Sequence, residues 1–184
     1  DLIVPMSEHR TFKYFKKETL VDYAEKYSWQ LIDDSNRKEL FMEMIEQMDM
    51  SYSYKPVLIK AVLLYADDKG RIKLDNIVSY FKSYYEGRRA AGLPVEKKNS
   101  IFAKGGYTDK EAERNILSNP FKRFEDMQML RHTKTLGIVQ VDEAVWKHLS
   151  KEEKAEMERI CDAKLLQYYE RLSEQRIDRS IIEH

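Results

Sequence analysis

The residues best placed to do chemistry are Glu96, Lys97 and Lys98, which follow Gly92-Leu93-Pro94. They have the Glu-x-Lys form of metal-dependent nucleases, in which a carboxylate binds a divalent cation and a lysine positions water or stabilises charge. That chemistry needs a further acidic ligand on a neighbouring strand, and here the triplet reads as loop. Asp33-Asp34 and Asp67-Asp68 read as a helix start and a turn rather than as paired catalytic acids. The four histidines, His9, His132, His148 and His184, show no ligand spacing, so solvated or core-rim roles are expected of them. Nucleotide binding has no support either. There is no Gly-x-x-x-x-Gly-Lys-Ser/Thr loop, and Gly105-Gly106 lacks both a lysine at the right spacing and a preceding strand. No catalytic residue, metal site or cofactor is expected in this chain.

Charge points elsewhere. The 184 residues carry 32 Lys+Arg and 32 Asp+Glu, a formal net charge of zero. The balance is uneven, since residues 80–141 hold 12 basic against 7 acidic side chains. Arg88, Arg89, Lys97, Lys98, Lys104, Lys110, Arg114, Lys122, Arg123, Arg131 and Lys134 make up the candidate contact set for nucleic acid. Phosphate attraction is largely electrostatic and salt-dependent, so lysines and arginines sharing one face suffice. The competing reading is a solvated charged face, because Asp109, Glu111 and Glu113 share a helix with Lys110 and Arg114.

These residues need elements to hold them. Leu20, Val21, Ala24 and Tyr27 mark one face of a first helix over 17–27, and Ser35 is expected to cap a second holding Leu40, Phe41, Met44, Ile45 and Met48. The methionines read as core filling before they read as an adaptable groove. Pro56 suits the first turn of a third helix, nearly all apolar from Val57 to Tyr65 and therefore central. Arg71 to Leu74 alternates, and Asp75 is expected to cap a helix through about residue 89. Residues 95–107 read as irregular. Thr108 with Glu111 forms a capping box that opens a helix to about Ser118, and Asn119-Pro120 stops it. Residues 127–132 and 136–141 read as a hairpin around Thr133-Lys134-Thr135. Asp142 caps a short helix, and Ser150 with Glu153 starts a long one to about 176. Its expected inner face is Ala155, Ile160, Ala163, Leu166, Tyr169 and Leu172.

The expected fold is therefore mainly α, a helical domain with one small β-hairpin, winged-helix-like. Its organisation reads as an N-terminal helical segment 1–50, a winged-helix-like core 51–149, and a long C-terminal helix 150–184 packing on that core. In such a domain the helix before the hairpin meets the major groove and the wing touches the backbone. Lys110 and Arg114 fall on that helix, and Arg131, His132 and Lys134 on the wing. One cysteine, Cys161, excludes an intrachain disulfide and reads as a half-buried inert thiol. No run of 18 apolar residues offers a membrane span. A cytoplasmic protein without membrane contact is expected. The chain starts Asp1-Leu2-Ile3-Val4-Pro5 without Met, as expected of a piece of a longer protein.

The run Tyr54-Lys55-Pro56-Val57-Leu58-Ile59-Lys60-Ala61-Val62-Leu63, then Gly70-Arg71-Ile72, Phe81, Tyr84-Tyr85 and Asn119-Pro120-Phe121-Lys122-Arg123-Phe124, carries a resemblance. Over about residues 50–172 it resembles regions C-terminal to the motor in bacterial DEAD/DEAH-type helicases and restriction-like proteins. The resemblance implies a non-catalytic accessory domain that helps a motor engage or position DNA. No motor motif occurs here, so ATP hydrolysis does not come with it. The partners expected are DNA and the remainder of the parent chain. The alternative is a protein-interaction or structural module whose 150–176 helix docks on its parent or a partner.

Overall fold

The computed structural model describes residues 7–9, 12–29 and 31–182, with side chains over 15–29 and 31–175. The stretch Asp1–Pro5, Gln30, His184 and the side chain of His9 lie outside the described residues. Backbone contacts divide the chain into two compact units, 1–37 and 38–184.

The first unit holds two short antiparallel strands, β1 (Ser7–His9) and β2 (Phe12–Tyr14), which the sequence reading did not anticipate. Helix α1 (Lys17–Tyr27) follows where the apolar spacing placed it. Of its predicted inner face only Ala24 is buried, and Tyr27 is 44% exposed. Ser35 does not cap the next helix. Its N–H and hydroxyl both donate to the Asp33 carboxylate (2.8 and 2.6 Å), a local turn of the kind that competes with helix capping.

The second unit is built on helix α3 (Tyr54–Tyr65), preceded by α2 (Arg37–Glu46). Val57, Leu58, Ile59, Ala61 and Val62 of α3 are fully buried, as expected of a helix apolar on every side. Strand β3 (Arg71–Lys73) leads straight into α4 (Leu74–Ala90), which turns Ile77, Val78, Phe81 and Tyr85 inward. Lys73 rather than Asp75 holds the N-cap position, and Asp75 lies in the first turn. The 95–107 stretch is not wholly irregular: it contains α5 (Ile101–Lys104), whose Ser100 hydroxyl accepts from the Phe102 N–H. The Thr108 and Glu111 capping box opens α6 (Asp109–Ser118) with both of its reciprocal bonds made. Pro120 then starts α7 (Pro120–Asp126), with Phe121 and Phe124 buried. Strands β4 (Leu130–Thr133) and β5 (Ile138–Val141), α8 (Glu143–Trp146) and the long α9 (Lys151–Ile182) complete the unit.

The expected lone hairpin is a three-stranded antiparallel sheet. Strand β5 lies between β3 and β4, with Ile72 opposite Val139 and Arg131 opposite Gln140. The fold is thus mainly helical with one small sheet in this unit.

The long helix packs on α3 through a face that overlaps the expected one only in part, with Tyr169 and Leu172 buried as expected and Ile160 partly buried against the core. Met157, Cys161, Leu165, Tyr168 and Leu172 are buried, while Ala155 and Ala163 are exposed and Leu166 is 63% exposed. Steps of four, four, three and four keep these buried residues on one face of the helix. Two of the three expected residues that fall outside it are alanines, which bury little area. Burial pushes the Cys161 thiol up to about 12, so the thiolate needed for reactivity does not form near neutral pH.

Gly70 joins the sheet to the helices. Its φ of +73° is left-handed, and a Cβ there would stand 2.8 Å from Cγ of Trp146. The indole is pinned in turn, donating to the Asp67 carbonyl at 2.9 Å beneath the Lys154 ammonium. Gly70→Ala is expected to destabilise the domain by about 1–3 kcal/mol, from backbone strain alone. A denaturant titration checks it, and a loss below about 0.5 kcal/mol, the range of ordinary surface substitutions, refutes the account.

Candidate nucleic-acid interface

The Glu96 carboxylate is held inside the protein. It is 0% exposed and accepts four hydrogen bonds. Ser53 donates through its N–H (2.9 Å) and its hydroxyl (2.6 Å) to one oxygen. The Lys97 N–H (2.8 Å) and the Tyr168 hydroxyl donate to the other. Since the Ser53 hydroxyl donates to Glu96, the Tyr85 hydroxyl (2.7 Å) is its donor, and the single proton of the Tyr169 hydroxyl is shared between Ser53 (3.2 Å) and the Val95 carbonyl (3.1 Å). A carboxylate so saturated has no lone pair left for a cation or a water nucleophile. The Glu-x-Lys spacing therefore serves packing, tying the α2–α3 link to α9. Among the described residues no group of three or more His, Cys, Asp or Glu is placed to hold a metal ion, and no helix is long and apolar enough to cross a membrane.

Of the eleven candidate cations, Lys97 is half-buried with its ammonium 5.2 Å from the Tyr52 ring centroid, and the other ten fall into three sets. Arg88 and Arg89 are spent on the protein itself. The Arg88 guanidinium stacks 3.3 Å from the ring centroid of Tyr169 and donates to the Pro94 carbonyl at 2.7 Å. Arg89 donates to the carbonyls of Phe102 (2.6 Å) and Ala103 (3.2 Å), holding the end of α5. Lys98 and Lys104 are exposed on the segment between α4 and α6, and Lys110 and Arg114 are exposed along α6. The third set lies on α7 and the strands after it. Arg123, Arg131 and Lys134 are exposed, and Lys122 pairs with Asp126 at 2.6 Å. Phe121 of α7 touches the His132 ring edge-on, so α7 and β4 form one contiguous surface.

A groove that the sequence reading missed opens beside α7. It encloses about 380 Å³ and is lined by Tyr52, Tyr54, Lys55, Lys122 and Arg123, with Asp49 and Asp126 on its walls. Burial draws the Lys55 ammonium below its ordinary range, Asp49 opposes that shift, and Arg123 adds repulsion. Lys55 also donates to the Asp49 carbonyl at 2.9 Å. In the sequence Lys55 was the polar residue ahead of Pro56 at a helix start, with nothing to bring it beside a residue 68 positions later.

No family model, curated protein or solved structure matches this chain.

Proposed function

We propose that this chain is a non-catalytic, nucleic-acid-contacting accessory domain of winged-helix type, working within a larger helicase- or restriction-like protein. The observation that carries the reading is the order α3, β3, α4, α6 with α7, β4, β5, with β5 central in the sheet. With the short α5 set aside and α6 and α7 taken together, this order, with the last strand lying between the other two, supports a winged-helix reading. In it the helices ahead of the hairpin approach duplex DNA and the β4–β5 turn is the wing. Arg131 and Lys134 stand exposed on that wing, and Lys110, Arg114 and Arg123 on the helices before it. The helicase-like parent rests on the resemblance over residues 50–172. The docking alternative has less support, because the inward face of α9 is already spent on α3.

Fluorescence anisotropy with labelled duplex DNA tests the proposal. Affinity is expected to fall by about tenfold or more between 50 and 200 mM salt for a few phosphate contacts. Arg131→Glu combined with Lys134→Glu is expected to weaken duplex binding by about tenfold or more without moving the melting temperature. Duplex mobility unchanged at low salt overturns the reading.

A further inference from the structure

Tyr52 connects two cationic grooves. The first is the 380 Å³ groove that holds Lys55 and Arg123. The second, about 170 Å³, is lined by Met50, Lys97, Tyr168, Arg171, Leu172 and Gln175. Tyr52 lines the first, and the Lys97 ammonium of the second lies 5.2 Å from its ring centroid. The ring is held flat and in place. It stacks on Tyr54 at 4.8 Å with 8° between planes, and Asn99 donates to its hydroxyl at 2.8 Å.

We infer that these two grooves form one binding track for single-stranded nucleic acid, with Tyr52 as the stacking platform between them and Lys55, Arg123, Lys97 and Arg171 meeting its phosphates. The inference rests on the reading that this protein engages nucleic acid, and it adds a strand class and a site apart from the wing. Backbone-tracking cations interrupted by an aromatic face are what an unpaired strand requires, because its bases are free to stack. A duplex keeps its bases stacked on one another and offers no face to Tyr52. Tyr54 covers one face of the ring, leaving the other to Lys97 or to a base. A lysine on a flexible stem yields that place readily and turns to the phosphate of the incoming nucleotide. Lys55 and Arg123 repel each other across the first groove, and a phosphate between them relieves the repulsion. Asp126 is already engaged by Lys122, and Asp49 offers Lys55 its main-chain carbonyl.

Anisotropy titrations of the whole chain with labelled oligothymidine and oligouridine of about 15 nucleotides, beside a blunt duplex, test the track. Lys55→Gln with Arg123→Gln is expected to lower single-strand affinity about tenfold or more and to flatten its salt dependence by roughly one to two released ions. Tyr52→Leu is expected to lower it as well, and Tyr52→Phe, which keeps the ring, to restore it. Should Tyr52→Leu fail to fold, the paired glutamine variant decides alone. Either polymer binding through these residues supports the track, and the tighter of the two names its source. Single-strand affinity unchanged in Lys55→Gln with Arg123→Gln overturns it, as does equal competition by polyglutamate. Duplex binding lost with Arg131→Glu and Lys134→Glu, but no single-strand binding, overturns the track and leaves the wing standing. Single-strand binding through the track without duplex binding does the reverse, and no binding of either kind overturns both.

Discussion

Glu96→Ala is expected to lower the free energy of unfolding by about 3–5 kcal/mol, the sum of two or more orphaned buried donors at about 1–3 kcal/mol each. The cost comes from what is left behind. The Ser53 N–H and hydroxyl, the Lys97 N–H and the Tyr168 hydroxyl all donate to this one carboxylate. An orphaned buried donor costs about 1–3 kcal/mol, and the Tyr85 and Tyr169 hydroxyls behind Ser53 lose their fixed acceptor geometry as well. Domains of this size are stable by roughly 5–15 kcal/mol, so the variant sits near the edge of folding. Glu96→Gln keeps the volume but turns an amide N–H₂ toward a donor, and is expected to fall between wild type and alanine. Denaturant midpoints measured on the three proteins at equal slope check the order. A loss under about 1 kcal/mol for alanine, no more than a single ordinary hydrogen bond, would contradict the hub role given to this residue.

That role was illegible in the sequence for a physical reason. The partners of Glu96 lie 43 and 72 residues away, and nothing local distinguishes a loop glutamate that folds inward from one that meets solvent. What could be read was local. The Thr108–Glu111 and Ser150–Glu153 boxes are three-residue devices, and both form with the expected bonds. The central α3 was legible from its unbroken apolar run. Strand β3 was not placed in the sheet, because three residues alternating about Ile72 do not say that Val139, far along the chain, is their partner. The inner face of α9 was legible in part: Tyr169 and Leu172 are buried as expected, while Met157, Leu165 and Tyr168 take the places given to Ala155, Ala163 and Leu166.

The same limit governs the candidate interface. Charge counting found the basic stretch, but it could not separate Arg88 and Arg89, which brace the protein, from Arg123, Arg131 and Lys134, which face outward. It also passed over Lys55 and Arg171, because each sits in a segment without basic excess. A cationic surface assembled from α3, α7, the 91–100 link and α9 exists only once those elements are packed. Local sequence windows therefore single out a basic stretch, such as 80–141, better than they predict which of its cations face outward.

The network around Glu96 also dictates behaviour at high pH. Burial is the first cause raising the pKa of Tyr54, Tyr85, Tyr168 and Tyr169 above the ordinary 10, and the Glu96 carboxylate adds to it at Tyr168. The four rings are between 0% and 7% exposed. Each is neutral in the fold and would ionise near pH 10 once unfolded. A folded-state pKa raised in this way contributes stability that is fully present below the unfolded value and is lost as pH rises through the folded one. Four protons released together on unfolding give a loss of about 5 kcal/mol per pH unit above pH 10. The domain is therefore expected to unfold in one steep alkaline transition within one to a few pH units of 10. Tyrosinate absorbance should rise in two stages, a shallow one from exposed rings and a steep one coincident with loss of helical ellipticity. Tyr85→Phe removes one of the four protons, and its stability should fall off above pH 10 with about a quarter less slope. Buried tyrosines that titrate one by one while the helix signal holds would show that the network opens locally, and would separate its ionisation from the integrity of the fold.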